Sequence, residues 1–127
     1  MQLADLFLDT LPYNAHVTAS DALWVGLPVL TCAGRAMPGR VGASLLSAIG
    51  LPELITATLE DYQAAAIELA IQPDRLRGLR TRLQADRQSR HLFDSMRFCR
   101  HIEAAYARMW DLWQRGESPR SFNVEPA

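Results

Sequence analysis

Between Asn14 and Asp21 the chain reads Asn-Ala-His-Val-Thr-Ala-Ser-Asp. A helix starting beside His16 would leave its first backbone amides without intrahelical acceptors. Those amides and the helix dipole favour an anion. Thr18 adds a hydroxyl. Asp21, one turn further in, lies on the same side and is placed to accept from a ribose diol. Amides for phosphates and a carboxylate for the sugar describe a nucleotide diphosphate site. A plainer reading stands beside it: an Asp in a first turn complements the dipole, and Thr18 or Ser20 acts as an N-cap. There is no Gly-x-Gly-x-x-Gly and no Walker lysine, and one loop histidine supports no Ser-His-Asp triad. His16, His91 and His101 show no ligand spacing, so no metal is expected. Cys32 and Cys99 form no Cys-x-x-Cys and read as reduced, packed thiols of a cytoplasmic protein.

Open parallel sheets bind ligands beyond the carboxyl ends of their strands, so these residues need a strand before them. Leu6-Phe7-Leu8, bounded by Asp5 and Asp9, reads as a strand buried on both faces. Residues 10 to 16 form a loop. A short helix over residues 18 to 25 follows, with Gly26 as its left-handed end and Pro28 forbidding continuation. Val29-Leu30-Thr31-Cys32 is a second buried strand. Strand, helix, strand is a βαβ unit, with a right-handed crossover expected. A helix over residues 41 to 49 ends at Gly50, and Leu54-Ile55 is a short third strand.

The second half reads as helix. Thr58 with Leu59-Glu60-Asp61 is an acidic variant of the capping box, and Leu59, Tyr62, Ala66 and Leu69 mark one face. Pro73 starts the next helix, with Leu76, Leu79 and Leu83 inward. Asp94 caps a last helix whose inner face is Met96, Cys99, Ile102, Tyr106, Met109 and Trp113, flanked by Trp110. This stripe suits a core, and its aromatic end also suits docking onto a neighbouring domain. The fold class is therefore α/β: a partial Rossmann-like βαβ unit over residues 1–57, helices of the same domain over 58–116, and a flexible tail over 117–127.

The 127 residues are 49% hydrophobic, enough to bury a core. Thirteen basic and fourteen acidic residues leave a net charge of -1, which gives no global electrostatic case for nucleic acid or an anionic membrane. No run reaches the roughly 18 apolar residues of a membrane span, and the first residues lack a basic signal-peptide region. Every basic residue is Arg. Arg75, Arg77, Arg80, Arg82, Arg87 and Arg90 could be a nucleic-acid strip, but leucines at helical spacing between them suit a solvated outer face better, and Asp74 and Asp86 dilute the charge.

The run from Asn14 through Leu23-Trp24-Val25-Gly26-Leu27-Pro28-Val29-Leu30-Thr31 resembles the signature of the O-GlcNAc transferase/SPINDLY-type glycosyltransferases, glycosyltransferase family 41. The likeness continues in Arg40-Val41-Gly42-Ala43-Ser44-Leu45-Leu46, Leu51-Pro52-Glu53-Leu54-Ile55, His91-Leu92-Phe93-Asp94 and Glu103-Ala104-Ala105-Tyr106-Ala107-Arg108-Met109-Trp110. The resemblance implies a GT-B fold, with the active site between two Rossmann-like domains. It implies transfer of a sugar, N-acetylglucosamine by preference, from a UDP-sugar to a protein hydroxyl, with inversion and without metal or other cofactor. It places His16, Val17 and Thr18 at the diphosphate and Asp21 at the ribose.

Two departures bear on that site. Val17 stands where the family has the first of two threonines, and a lost charge-assisted hydrogen bond costs about 1.5–3 kcal/mol. Ala15 replaces a glycine, which disfavours a positive φ there. The resemblance begins part-way through the family's C-terminal domain. The catalytic residues are therefore expected outside these residues, in an N-terminal catalytic domain that tetratricopeptide repeats can precede. The expected partners are the UDP-sugar, the protein acceptor and a second copy through a bare edge at residues 6–8. Two other readings stay open: a non-catalytic remnant with a weak phosphate site, and a helical interaction module built on Met109, Trp110 and Trp113.

Overall fold

A computed structural model describes residues 3–86 and 91–125 of the chain. They form two compact units, divided between Leu92 and Phe93.

The first unit is built on a parallel three-stranded sheet in the order β1-β2-β3, with β1 Phe7–Leu8, β2 Val29–Cys32 and β3 Ile55–Thr56. Phe7 pairs with Val29 and Leu8 with Leu30, while Thr31 pairs with Ile55 and Cys32 with Thr56. Helix α1 (Val17–Trp24) joins β1 to β2, and α2 (Val41–Ile49) joins β2 to β3. Parallel neighbours require such crossovers. They also bring the N-termini of both helices to the edge of the sheet where the strands end.

Local chemistry accounts for these boundaries. Gly26 takes φ +82° after α1, and Gly50 takes φ +78° as the C-cap of α2. Only glycine adopts that region freely. The third strand starts one residue later than the sequence suggests, because Leu54 closes a 3-10 turn over Pro52–Leu54. All four residues of β2 are buried, as its unbroken apolar character predicts. The first strand is a correction: Phe7 is half-buried and Leu8 is 53% exposed. Only β2 pairs with it among the described residues, so β1 lies at an edge.

Two helices complete this unit, α3 (Leu59–Ile71) and α4 (Pro73–Asp86). Thr58 caps α3: its hydroxyl accepts from the Asp61 amide at 3.1 Å and donates to the Asp61 carboxylate at 2.8 Å. Leu69, Leu79 and Leu83 are buried with Leu23, Leu30, Leu46 and Leu54. Leu59, predicted inward, is exposed, because it sits in the first turn beyond the apolar layer. The arginine strip is neutralised in place. Arg75 pairs with Glu68, Arg77 with Asp74, Arg80 with Asp5 and Arg82 with Glu53. Arg87 and Arg90 lie outside the described residues. Burial alone would raise the Glu53 pKa; a backbone hydrogen bond and the Arg82 guanidinium outweigh it and hold the carboxyl below its usual range.

The second unit is α5 (Ser95–Gln114) and the segment after it. The Asp94 carboxylate accepts from the Arg97 amide at 2.9 Å and caps the helix. The predicted inner face is a second correction. Met96, Tyr106, Met109 and Trp113 are each more than half exposed, Cys99 is exposed, and Leu112 is the buried residue of the helix. One helix and an irregular segment offer no second layer to cover a full stripe. That segment turns back locally. The Glu117 amide donates to Leu112 O, and Glu117 pairs with Arg115 and Arg120.

Candidate functional site

The site is built from the turn that follows β1. Asp9, directly after the strand, is 4% exposed. Its Oδ1 accepts from the Thr10 amide at 2.9 Å and the Ala15 amide at 2.7 Å. Its Oδ2 accepts from the Thr31 hydroxyl of β2 at 2.6 Å. One carboxylate thus ties both ends of the loop to the middle strand. The Tyr62 hydroxyl of α3 donates to the Asp9 carbonyl at 2.9 Å. Burial, and then the neighbouring Asp9 carboxylate, push the Tyr62 pKa upward.

Asn14 is the second brace and is almost wholly buried. Its side-chain amide donates to Thr10 O at 3.0 Å, and its Oδ1 accepts from the Gly42 amide in the first turn of α2 at 3.4 Å. Its backbone amide donates to Pro38 O at 3.0 Å. A side chain at Gly42 would not fit, since a Cβ there would stand 2.5 Å from Asp9 Oδ2 and 2.6 Å from Thr31 Oγ1. The loop after β1, the loop after β2 and the start of α2 are therefore fastened together at one end of the sheet.

The residues named from sequence stand on that frame. His16 is the N-cap of α1, and its side chain does not cap the helix. The ring stacks on Tyr13, with centroids 4.8 Å apart and planes 17° apart. Its Nε2 lies 3.3 Å from Pro38 O. A carbonyl only accepts, so this contact is a hydrogen bond when Nε2 carries the proton. The first helical bond runs from the Ser20 amide to His16 O. The amides of Val17, Thr18 and Ala19 precede it and have no intrahelical acceptor. Val17 is 73% exposed, and Thr18 and Asp21 are exposed too. Asp21 lies three residues after Thr18 and four after Val17, on the same face of α1. Ala15 fits without strain, since no described residue other than glycine has a positive φ.

A cleft of about 740 Å³ runs along α2 and the loop before it, lined by Gly34, Met37, Arg40, Val41 and Ser44. His16, Val17, Thr18 and Asp21 do not line it. Among the described residues, no three His, Cys, Asp or Glu side chains converge as metal ligands. Asp9, Thr31 and Gly42 escape sequence reasoning. A carboxylate after an apolar run looks like a solvent-facing boundary, and a threonine inside a buried strand is the single hint of a polar partner.

The family model described as glycosyl transferase family 41 matches residues 1–102. The chain is 40% identical over 123 residues to the probable UDP-N-acetylglucosamine–peptide N-acetylglucosaminyltransferase SEC of Arabidopsis thaliana, covering 96% of this chain and 13% of that protein. It is 36% identical over 115 residues to the UDP-N-acetylglucosamine–peptide N-acetylglucosaminyltransferase of Caenorhabditis elegans, covering 91% and 10%. Among solved structures it is similar to an O-GlcNAc transferase mutant of Thermobaculum terrenum. The TM-score is 0.82 at 41% identity, covering 88% of this chain and 22% of that one. The chain thus spans about an eighth or less of the length of these two curated relatives. The resemblance in the signature, the parallel βαβ architecture and these matches agree, and the chain belongs to glycosyl transferase family 41.

Proposed function

We propose that this chain carries the donor-binding part of a glycosyltransferase that moves a sugar, N-acetylglucosamine by preference, from a UDP-sugar to protein hydroxyls with inversion. The observation that carries the reading is the uncapped first turn of α1 at the carboxyl edge of the sheet. Its amides and the Thr18 hydroxyl face the diphosphate, with the His16 ring beside them, and Asp21 accepts from the ribose. Such donors stabilise a diphosphate leaving group in the role a cation has elsewhere, so the reaction needs no metal. The base and the acceptor site belong to the larger N-terminal part of such an enzyme. The same reading puts the protein in the cytoplasm, where exposed Cys99 stays reduced. No helix among the described residues is long and apolar enough to cross a membrane.

Calorimetric titration with UDP tests this. Binding that is lost in Asp21→Ala and weakened in Thr18→Ala is the expected result, whereas UDP affinity unchanged by both substitutions refutes the placement. A second reading, a non-catalytic remnant with a weak phosphate site, draws on one observation: exposed Val17 offers the phosphates no hydroxyl. UDP binding without measurable transfer by the natural full-length protein would favour it. The exposed Trp110–Trp113 pair, with ring centroids 4.8 Å apart, is what a helical interaction module would use. Loss of a protein partner in Trp113→Ala, indifferent to UDP, would support that role.

A further inference from the structure

We propose that Asp9 is the positioning residue of the donor site: its carboxylate sets the loop shape that aims the α1 amides and the His16 ring at a nucleoside diphosphate. The proposal rests on the donor-site reading and adds what determines the geometry of that site. Asp9 is not itself a ligand. It is buried, and its two oxygens are taken by the Thr10 amide, the Ala15 amide and the Thr31 hydroxyl. The amides of Thr10 and Ala15, five residues apart, meet on one oxygen, which closes the loop into a ring. Ala15 is followed at once by His16 and the first turn of α1. Any displacement of the Ala15 amide is therefore passed directly to the groups that would meet phosphate.

The neighbours restrict what can replace this carboxylate. Gly42 leaves no space beside Oδ2, so Asp9→Glu does not fit. Asp9→Asn keeps one oxygen for both amides, and its NH2 can donate to Thr31 Oγ1 once that hydroxyl rotates. Asp9→Ala leaves both amides without an acceptor.

The test is titration of the natural full-length protein with UDP and, separately, with uridine. Asp9→Ala is expected to lower UDP affinity about tenfold or more, the scale of one misplaced charge-assisted hydrogen bond. Uridine affinity should stay within about twofold. Asp9→Asn should recover most of the loss. Hydrogen exchange at the Thr10 and Ala15 amides should quicken in Asp9→Ala and return toward wild type in Asp9→Asn. If Asp9→Ala does not fold, Thr31→Val carries the test by removing the Oδ2 partner alone; the same split between UDP and uridine is expected at smaller amplitude. UDP affinity unchanged in the variants, or an equal loss for UDP and uridine, overturns the positioning role and leaves the donor site standing. A wild-type protein that does not bind UDP overturns both.

Discussion

Val17 shows how one side chain can tune a site whose other donors belong to the backbone. It is exposed beside the free amides of α1, so Val17→Thr adds a hydroxyl without disturbing the core. The gain expected is about 1.5 kcal/mol or more in UDP binding, read by calorimetry as an affinity at least tenfold higher. Tyr62 makes a different kind of contribution. Its hydroxyl holds the Asp9 carbonyl, and Tyr62→Phe should cost about 1 kcal/mol in urea unfolding at neutral pH. Because the folded-state pKa is raised, the neutral hydroxyl contributes stability that is complete below about pH 10. That contribution is lost as pH rises through the folded value. Tyr62→Phe should therefore lose less stability than wild type on going to strongly alkaline pH. Thr18 and Asp21 were legible in the sequence as candidates because they lie one turn apart at a helix start, and the family resemblance added His16 and Val17. Asp9, Thr31 and Gly42 were not legible. They meet only when strands 22 residues apart pair and a helix begins beside them.

At the level of elements, the punctuation of the chain carried most of the information. The glycines after α1 and α2, Thr58 before α3, Pro73 at the start of α4 and Asp94 before α5 each act as their chemistry predicts. Removing the cap in Thr58→Ala should cost about 1 kcal/mol, seen as a lower thermal midpoint. Burial was harder to read. The apolar run at β1 and the apolar face of α5 look like core from periodicity alone, yet Leu8 and Trp113 are exposed. Periodicity reports which residues seek cover; it does not report whether a covering layer exists.

For the whole molecule, the edge strand has a measurable consequence. β1 has one sheet neighbour among the described residues and presents an exposed leucine. Unpaired strand edges recruit other chains. Light scattering of this chain at high concentration should show dimers or larger species, and Leu8→Lys should shift the population toward monomer. A monodisperse monomer for the unmodified chain would contradict this expectation. The parallel order of the sheet places the starts of α1 and α2 at one end, whereas the hydrophobic cluster is shared by strands and helices away from it. Substitutions in loops 10–16 and 33–40 can therefore alter ligand affinity while leaving most of the core intact.

The knot of Asp9, Thr31 and Gly42 also limits how small a portable version of this clasp can be. A synthetic peptide copying residues 10–24 would hold every group proposed to touch the nucleotide, yet Asp9, Thr31 and Gly42 would be left behind. Grafting the recognition loop onto another scaffold means transplanting three anchors along with it: one ahead of the loop, one in the next strand and one in the helix beyond.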